Sequence, residues 1–173
     1  MNIEQNNPMR YETAYDWLGG EPRVRALAAR FYDLMDLEPK FGALRAAHGV
    51  DLVNARERLY LFLTGWLGGP QLYIEQHGHP RLRQRHMGFK IGVIERDQWV
   101  ACMAQAMREI DVPDDLYLRL LESFYNTADW MRNQPDDTEA APQMPAQSGT
   151  FTPQVRQKLH QIVEAYGVSS GKS

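Results

Sequence analysis

The sequence predicts an all-α protein. Four apolar stripes recur at helical spacing, glycine or proline marks their ends, and no run alternates with the period of two expected of a half-buried strand. In the first stripe, Val24, Leu27, Ala28, Phe31, Leu34 and Met35 follow the i, i+3, i+4, i+7 rule. Gly19-Gly20 precede it, and Pro22 suits a first helical turn, where its missing N–H costs nothing. The second stripe runs through Leu52, Ala55, Leu59, Phe62, Leu63 and Trp66, with Asp51 as N-cap and Gly68-Gly69-Pro70 as its stop. The third covers Trp99, Met103, Ala106, Met107 and Ile110, opens with Glu95 and Asp97, whose charges suit a helix N-terminus, and closes at Pro113. The fourth runs through Tyr117, Leu120, Leu121, Phe124, Tyr125, Ala128 and Met131.

These helices delimit a working domain of residues 11–133, after a polar N-terminus, 1–10, that reads as disordered. Residues 134–153 are rich in Pro, Ala, Gln and acids, without a sustained apolar period, and read as a linker. Helical spacing returns in the tail, 154–173, through Val155, Leu159, Ile162, Val163 and Tyr166. A helix this short is marginal unless it packs on something, so two readings stand: a docked amphipathic helix or a disordered extension.

Composition excludes several classes. A length of 173 residues suits one compact domain, and no apolar run approaches the roughly 18–20 residues of a membrane span. The first ten residues lack the apolar core of a secretory signal. One cysteine, Cys102, cannot form an internal disulfide or a cysteine metal cage, which points to a reduced, cytoplasmic setting. A net charge of −3 argues against a general nucleic-acid binder.

The stretch from about 68 to 90, GGPQLYIEQHGHPRLRQRHMGFK, is the most informative. Helices that only needed joining would use about 2–8 residues; a long polar connection carrying His77, His79 and His86 suggests a site. Pro80 is expected in the first turn of a short helix from Arg81 to His86, ended by Gly88, with Arg81 and Arg83 as solvated charges. Cys102, among Val100, Met103 and Ala106, reads as a small buried hydrophobe rather than a nucleophile. No nucleophile elbow, phosphate loop or dinucleotide fingerprint is present. His77 and His79 lack the i, i+4 spacing of paired metal ligands. A cofactor needing one axial histidine suits His86, at the end of a short helix, although a lone histidine is also compatible with a purely structural role.

The run Phe31-Tyr32, then Gly68-Gly69-Pro70, His77-Gly78-His79-Pro80-Arg81-Leu82-Arg83, Arg85-His86, Phe89, Ile91 and Ile94-Glu95-Arg96-Asp97-Gln98-Trp99 resembles the group II truncated haemoglobins in order and spacing across residues 11–133. The resemblance implies a two-over-two helical sandwich with a vestigial first helix and a haem b cofactor. By position, His86 matches the proximal ligand to the iron, Tyr32 the distal tyrosine and Trp99 the distal tryptophan. His48 falls at the polar position after the distal-side corner, Ala55 at the gate and Leu59 one turn on. His79 and Arg85 match positions near the haem propionates, while Phe62, Leu63, Leu82, Phe89 and Ile91 match pocket-lining positions.

The implied function is reversible binding of dioxygen, and of nitric oxide and carbon monoxide. A dioxygen ligand of ferrous haem gains negative charge at its outer atom, and both phenol and indole can donate to it. A hydrogen bond to a charged acceptor is worth roughly 1.5–3 kcal/mol, so each donor slows release by on the order of ten- to a hundredfold. Read without the resemblance, Tyr32 and Trp99 are equally compatible with ordinary helix packing. Two other functions fit the same residues. A haem redox enzyme, acting as a nitric oxide dioxygenase or peroxidase, would need a separate reductase, because the chain has no flavin or nicotinamide module. A signalling module would act through the tail. A monomer or homodimer is expected, with no nucleic-acid or membrane partner.

Overall fold

The computed structural model of the chain describes residues 11–145 and 152–169. Among these residues the secondary structure is helical, with no strand. Helix α1, Ala14–Leu18, is a single short turn capped by Thr13, whose Oγ1 accepts from the Asp16 N–H at 3.1 Å. Gly19 and Gly20 then take φ of 121° and 76°, which lets the chain reverse without a Cβ penalty. Helix α2, Glu21–Leu37, begins with Pro22 in its first turn and buries Val24, Leu27, Ala28, Phe31, Tyr32, Leu34 and Met35. A 3-10 turn, Pro39–Phe41, and the short α3, Gly42–Ala47, lead to α4, Leu52–Trp66, where Asp51 accepts from the Val53 N–H at 2.9 Å. Two short helices follow: α5, Leu72–His77, and α6, Leu82–His86. The long α7, Val93–Glu109, and α8, Asp114–Trp130, complete the body, and α9, Pro153–Ala165, lies in the tail.

Helices α2 and α4 pack together, as do α7 and α8, and α2 lies against α7. This is the two-over-two arrangement. Apolar side chains from all four helices form one core, including Leu27, Phe31, Leu63, Met103, Met107, Leu116 and Phe124. No helix of the described residues is long and apolar enough to cross a membrane.

The connecting segments differ from the sequence expectation. Pro80 stands outside the short helix. Arg81 takes the left-handed conformation, φ 43°, and helix geometry starts only at Leu82. Helix α7 starts at Val93, two residues before Glu95, because the Glu95 carboxylate folds back to accept from the Gly92 N–H at 3.0 Å. Within residues 134–145 there is no helix or strand, yet Glu139 pairs with Arg96 and the Ala140 carbonyl accepts from Arg132 at 2.6 Å. Helix α9 rests on α7 and α8 and buries Leu159 and Ile162. Tyr166 stacks on Phe41 at 6.1 Å, and its carbonyl accepts from Lys40 at 2.8 Å. The expectation for residues 1–10 lies outside the described residues.

Candidate functional site

A cavity of about 520 Å³ opens between α2, α4, the α6 segment, α7 and α8. That volume falls within the roughly 300–1,000 Å³ of sites for organic ligands and cofactors. Tyr32 comes from α2, Ala55, Leu59, Phe62 and Leu63 from α4, and Trp99 from α7. His48 follows α3, and Leu82, Arg85, His86, Phe89 and Ile91 come from α6 and the loop after it.

His86 is the last residue of α6, and its Nδ1 lies 2.6 Å from the Leu82 carbonyl oxygen one turn earlier. A carbonyl can only accept, so the ring donates through Nδ1–H and the neutral imidazole keeps its lone pair on Nε2. The backbone after His86 is held from the residues just past the end of α8. The Asn133 side-chain amide donates to the His86 carbonyl at 3.2 Å and the Phe89 carbonyl at 2.7 Å, and its Oδ1 accepts from the Ile91 N–H at 2.9 Å. Arg83 is not a solvated charge. It donates to the carbonyls of Trp130 and, at 3.1 Å, Arg132, and its guanidinium lies over the Trp130 ring at 4.4 Å. A five-residue helix has little stability of its own, so these ties to the C-terminal end of α8 and the residues after it are what place His86.

The Tyr32 and Trp99 rings flank one common ring. Phe31 meets Tyr32 edge-on at 5.1 Å and Trp99 at 5.4 Å. Trp99 also meets Phe124 at 5.5 Å, and Phe124 stacks on Trp66 at 4.6 Å. Among the described residues neither the Tyr32 hydroxyl nor the Trp99 indole N–H has a hydrogen-bond partner, so both donors remain available to the cavity they line. Burial pushes the Tyr32 phenol well above its ordinary pKa, which keeps the O–H in place as a donor. Burial lowers the His48 pKa, and its Nδ1 is tied to the Leu44 carbonyl at 2.9 Å.

Every residue expected at the site on sequence grounds lines the cavity except His79. That ring is exposed on the turn before α6, where its Nδ1 accepts from the Arg81 N–H at 3.1 Å. The cavity instead brings in Arg58, an exposed residue of α4, together with Arg85. Trp66, Tyr73, Phe124 and Thr127 also line it. Their spacing showed Trp66 and Phe124 only as stripe members, and nothing in it separates a cavity wall from a core contact. Asn133 was missed because a single amide past the end of a stripe carries no periodic signal. Cys102 is fully buried, its Sγ 3.3 Å from the Phe31 carbonyl oxygen, and burial pushes the thiol pKa up. An inert packing residue fits all of this.

The donor set suits a large apolar cofactor that brings its own metal. Among the described residues no group of three or more His, Cys, Asp and Glu side chains could hold a bare ion. The cavity offers the imidazoles of His86 and His48, an extensive apolar lining, and the guanidinium groups of Arg58 and Arg85 for acidic substituents.

Comparison with known proteins agrees. The family model described as bacterial-like globin matches residues 13–133. A group 2 truncated haemoglobin of Bacillus subtilis is 35% identical over 117 residues, which span 68% of this chain and 86% of that protein. Among solved structures, the group II 2-on-2 haemoglobin of Agrobacterium tumefaciens is similar at 41% identity with a TM-score of 0.70, covering 75% of this chain and 100% of that one. A cold-adapted truncated haemoglobin from the Antarctic bacterium Pseudoalteromonas haloplanktis is similar at 42% identity and a TM-score of 0.69, covering 72% of this chain and 100% of that one.

Proposed function

Because this chain belongs to the bacterial-like globin family, as a group II truncated haemoglobin, we propose that it binds haem b in the cavity and, through it, dioxygen reversibly with slow release. Nitric oxide and carbon monoxide would bind at the same place, and the setting proposed for this is the cytoplasm. When bound, haem supplies an iron with an open position for a diatomic ligand.

The chain's own groups carry the rest. His86 would hold the iron through its Nε2 lone pair, and the bond from its Nδ1–H to Leu82 fixes the tautomer and makes that nitrogen more basic. Arg85 and Arg58 are placed to meet carboxylate substituents as charge-assisted donors. Leu59, Phe62, Leu63, Leu82, Phe89 and Ile91 provide the apolar walls that exclude water. Tyr32 and Trp99 donate to a ligand atom that carries negative charge, and do little for one that does not. Ala55 leaves the way past α4 unobstructed by side-chain bulk.

One observation carries the reading: His86, with Nδ1 occupied and Nε2 free, stands in a large apolar cavity that also holds the two unpartnered donors Tyr32 and Trp99. Helix α9 has its apolar face against α7 and α8, which supports ligand binding over a tail that recruits a partner. The test is hemin titration of the haem-free protein. A Soret band at one equivalent is expected, with haem affinity lost in His86→Gly and restored by added imidazole. No Soret band in the wild-type protein would overturn the proposal.

A further inference from the structure

Arg96 lies one helical turn before Trp99, lines the same cavity and is 1% exposed. Such a charge must be compensated. Its guanidinium donates to Asp97 at 2.7 and 2.9 Å and to Asp129 at 2.6 Å. It also holds both carboxylate oxygens of Glu139, one of them at 2.7 Å. Glu139 lies beyond the family-matched residues 13–133. It is also 3.0 Å from Lys158 of α9, which approaches Asp97 at 3.9 Å. Arg132 closes the group by pairing with Asp129 at 2.6 Å.

The charges balance. Arg96 and Arg132 face Asp97 and Asp129 within the family-matched part, and the extension adds one acid, Glu139, and one base, Lys158. The extension thus inserts an ion pair of its own into a partly buried cluster around the buried Arg96 of the cavity wall. Charges there are screened far less than on the surface, so either member of the pair acts on whatever the cavity holds.

We propose that Glu139 and Lys158 are positioning residues that act through Arg96, holding it at the cavity wall and setting the electrostatic potential inside the cavity. Glu139 offsets the charge that Lys158 brings beside Arg96, so the cluster presents no net positive charge to a ligand, and Lys158 prevents Glu139 from tipping the balance to negative. The inference takes the cavity from the fold. Only its haem-based readout rests on the proposed function.

The test exploits sign. Glu139→Gln leaves one positive charge uncompensated and Lys158→Met one negative. In the haem-loaded ferric protein, azide affinity is expected to rise roughly three- to tenfold in Glu139→Gln and to fall by a similar factor in Lys158→Met, as expected for one charge at an intermediate effective dielectric. The double variant is expected within twofold of wild type. In the haem-free protein, iodide quenching of tryptophan fluorescence, relative to quenching by neutral acrylamide, should rise in Glu139→Gln and fall in Lys158→Met. A purely structural role would move both single variants in the same direction. That outcome, or no change in either, overturns the proposal. Because the iodide measurement needs no cofactor, it decides the matter even if the protein fails to take up hemin.

Discussion

The imidazole of His48 and the phenol of Tyr32 meet edge-on, their ring centroids 5.8 Å apart at 83°. Burial lowers the His48 pKa, and the nearby charges of Arg45 and His86 act in the same direction, against the hydrogen bond to Leu44. The unfolded chain then takes up the proton more readily than the folded one. His48 therefore contributes stability above its ordinary value of about 6.5, and this is lost as pH falls below it. NMR titration of the haem-free protein should place the His48 midpoint below 6.5. The stability difference between wild type and His48→Phe should be constant above pH 7 and should change on acidification.

Trp99→Phe is expected to speed dioxygen dissociation by on the order of ten- to a hundredfold, the loss of one hydrogen bond to a charged acceptor. Tyr32→Phe should act in the same direction, with carbon monoxide dissociation changing much less in both. Stopped-flow ligand replacement measures all four rates. An unchanged dioxygen rate in Trp99→Phe would remove the indole from the donor role.

Asn133→Ala removes all three side-chain hydrogen bonds that fasten the segment from His86 to Ile91 onto the chain just after α8. A destabilisation of roughly 0.5–1.5 kcal/mol is expected, because the backbone groups released are half-buried or exposed and water can replace part of what is lost. Hemin transfer to an acceptor globin should become faster, since this segment begins at His86, the proposed iron ligand. A thermal melt and a transfer time course check the two effects separately.

Glu139 gives an acid signature. Its hydrogen bonds to Arg96, reinforced by Lys158, hold its pKa down to about 2 against the effect of burial. A depressed carboxylate contributes stability above its unfolded value of about 4.3 and loses it as pH falls toward the folded value. Burial pushes the neighbouring Asp97 the other way, so on acidification Asp97 takes up its proton first. The difference in melting temperature between wild type and Glu139→Gln should be constant from pH 7 to 5 and shrink below that.

The long helices were legible because each buries one face, and Val24 to Met35 or Leu52 to Trp66 displays that face as spacing. Capping chemistry was legible at Asp51 and Pro22 for the same local reason. The site residues were a different matter: their spacing alone could not tell Tyr32 or Trp99 from core, and the resemblance supplied those positions. The turn before α6 escaped because a left-handed Arg81 goes against the preference of its side chain and is imposed by tertiary context. The partners of Arg83 and Arg96 also escaped, since Trp130, Arg132 and Glu139 are 43 to 49 positions away along the chain and charge pairing at that distance has no period. Residues 134–145 looked like a linker because their composition is that of one. What holds them is a few specific bonds from Glu139 and Ala140, which composition does not encode.

The family match ends at residue 133, yet Arg96, deep in the body, finds a carboxylate partner at residue 139, and α9 covers apolar surface on α7 and α8. The end of the family match is therefore not expected to be a border of cooperative unfolding. Heat should melt helix α9 and the globin body in one transition, and a fusion partner is best attached after residue 169, where it would leave that joint melting unit whole.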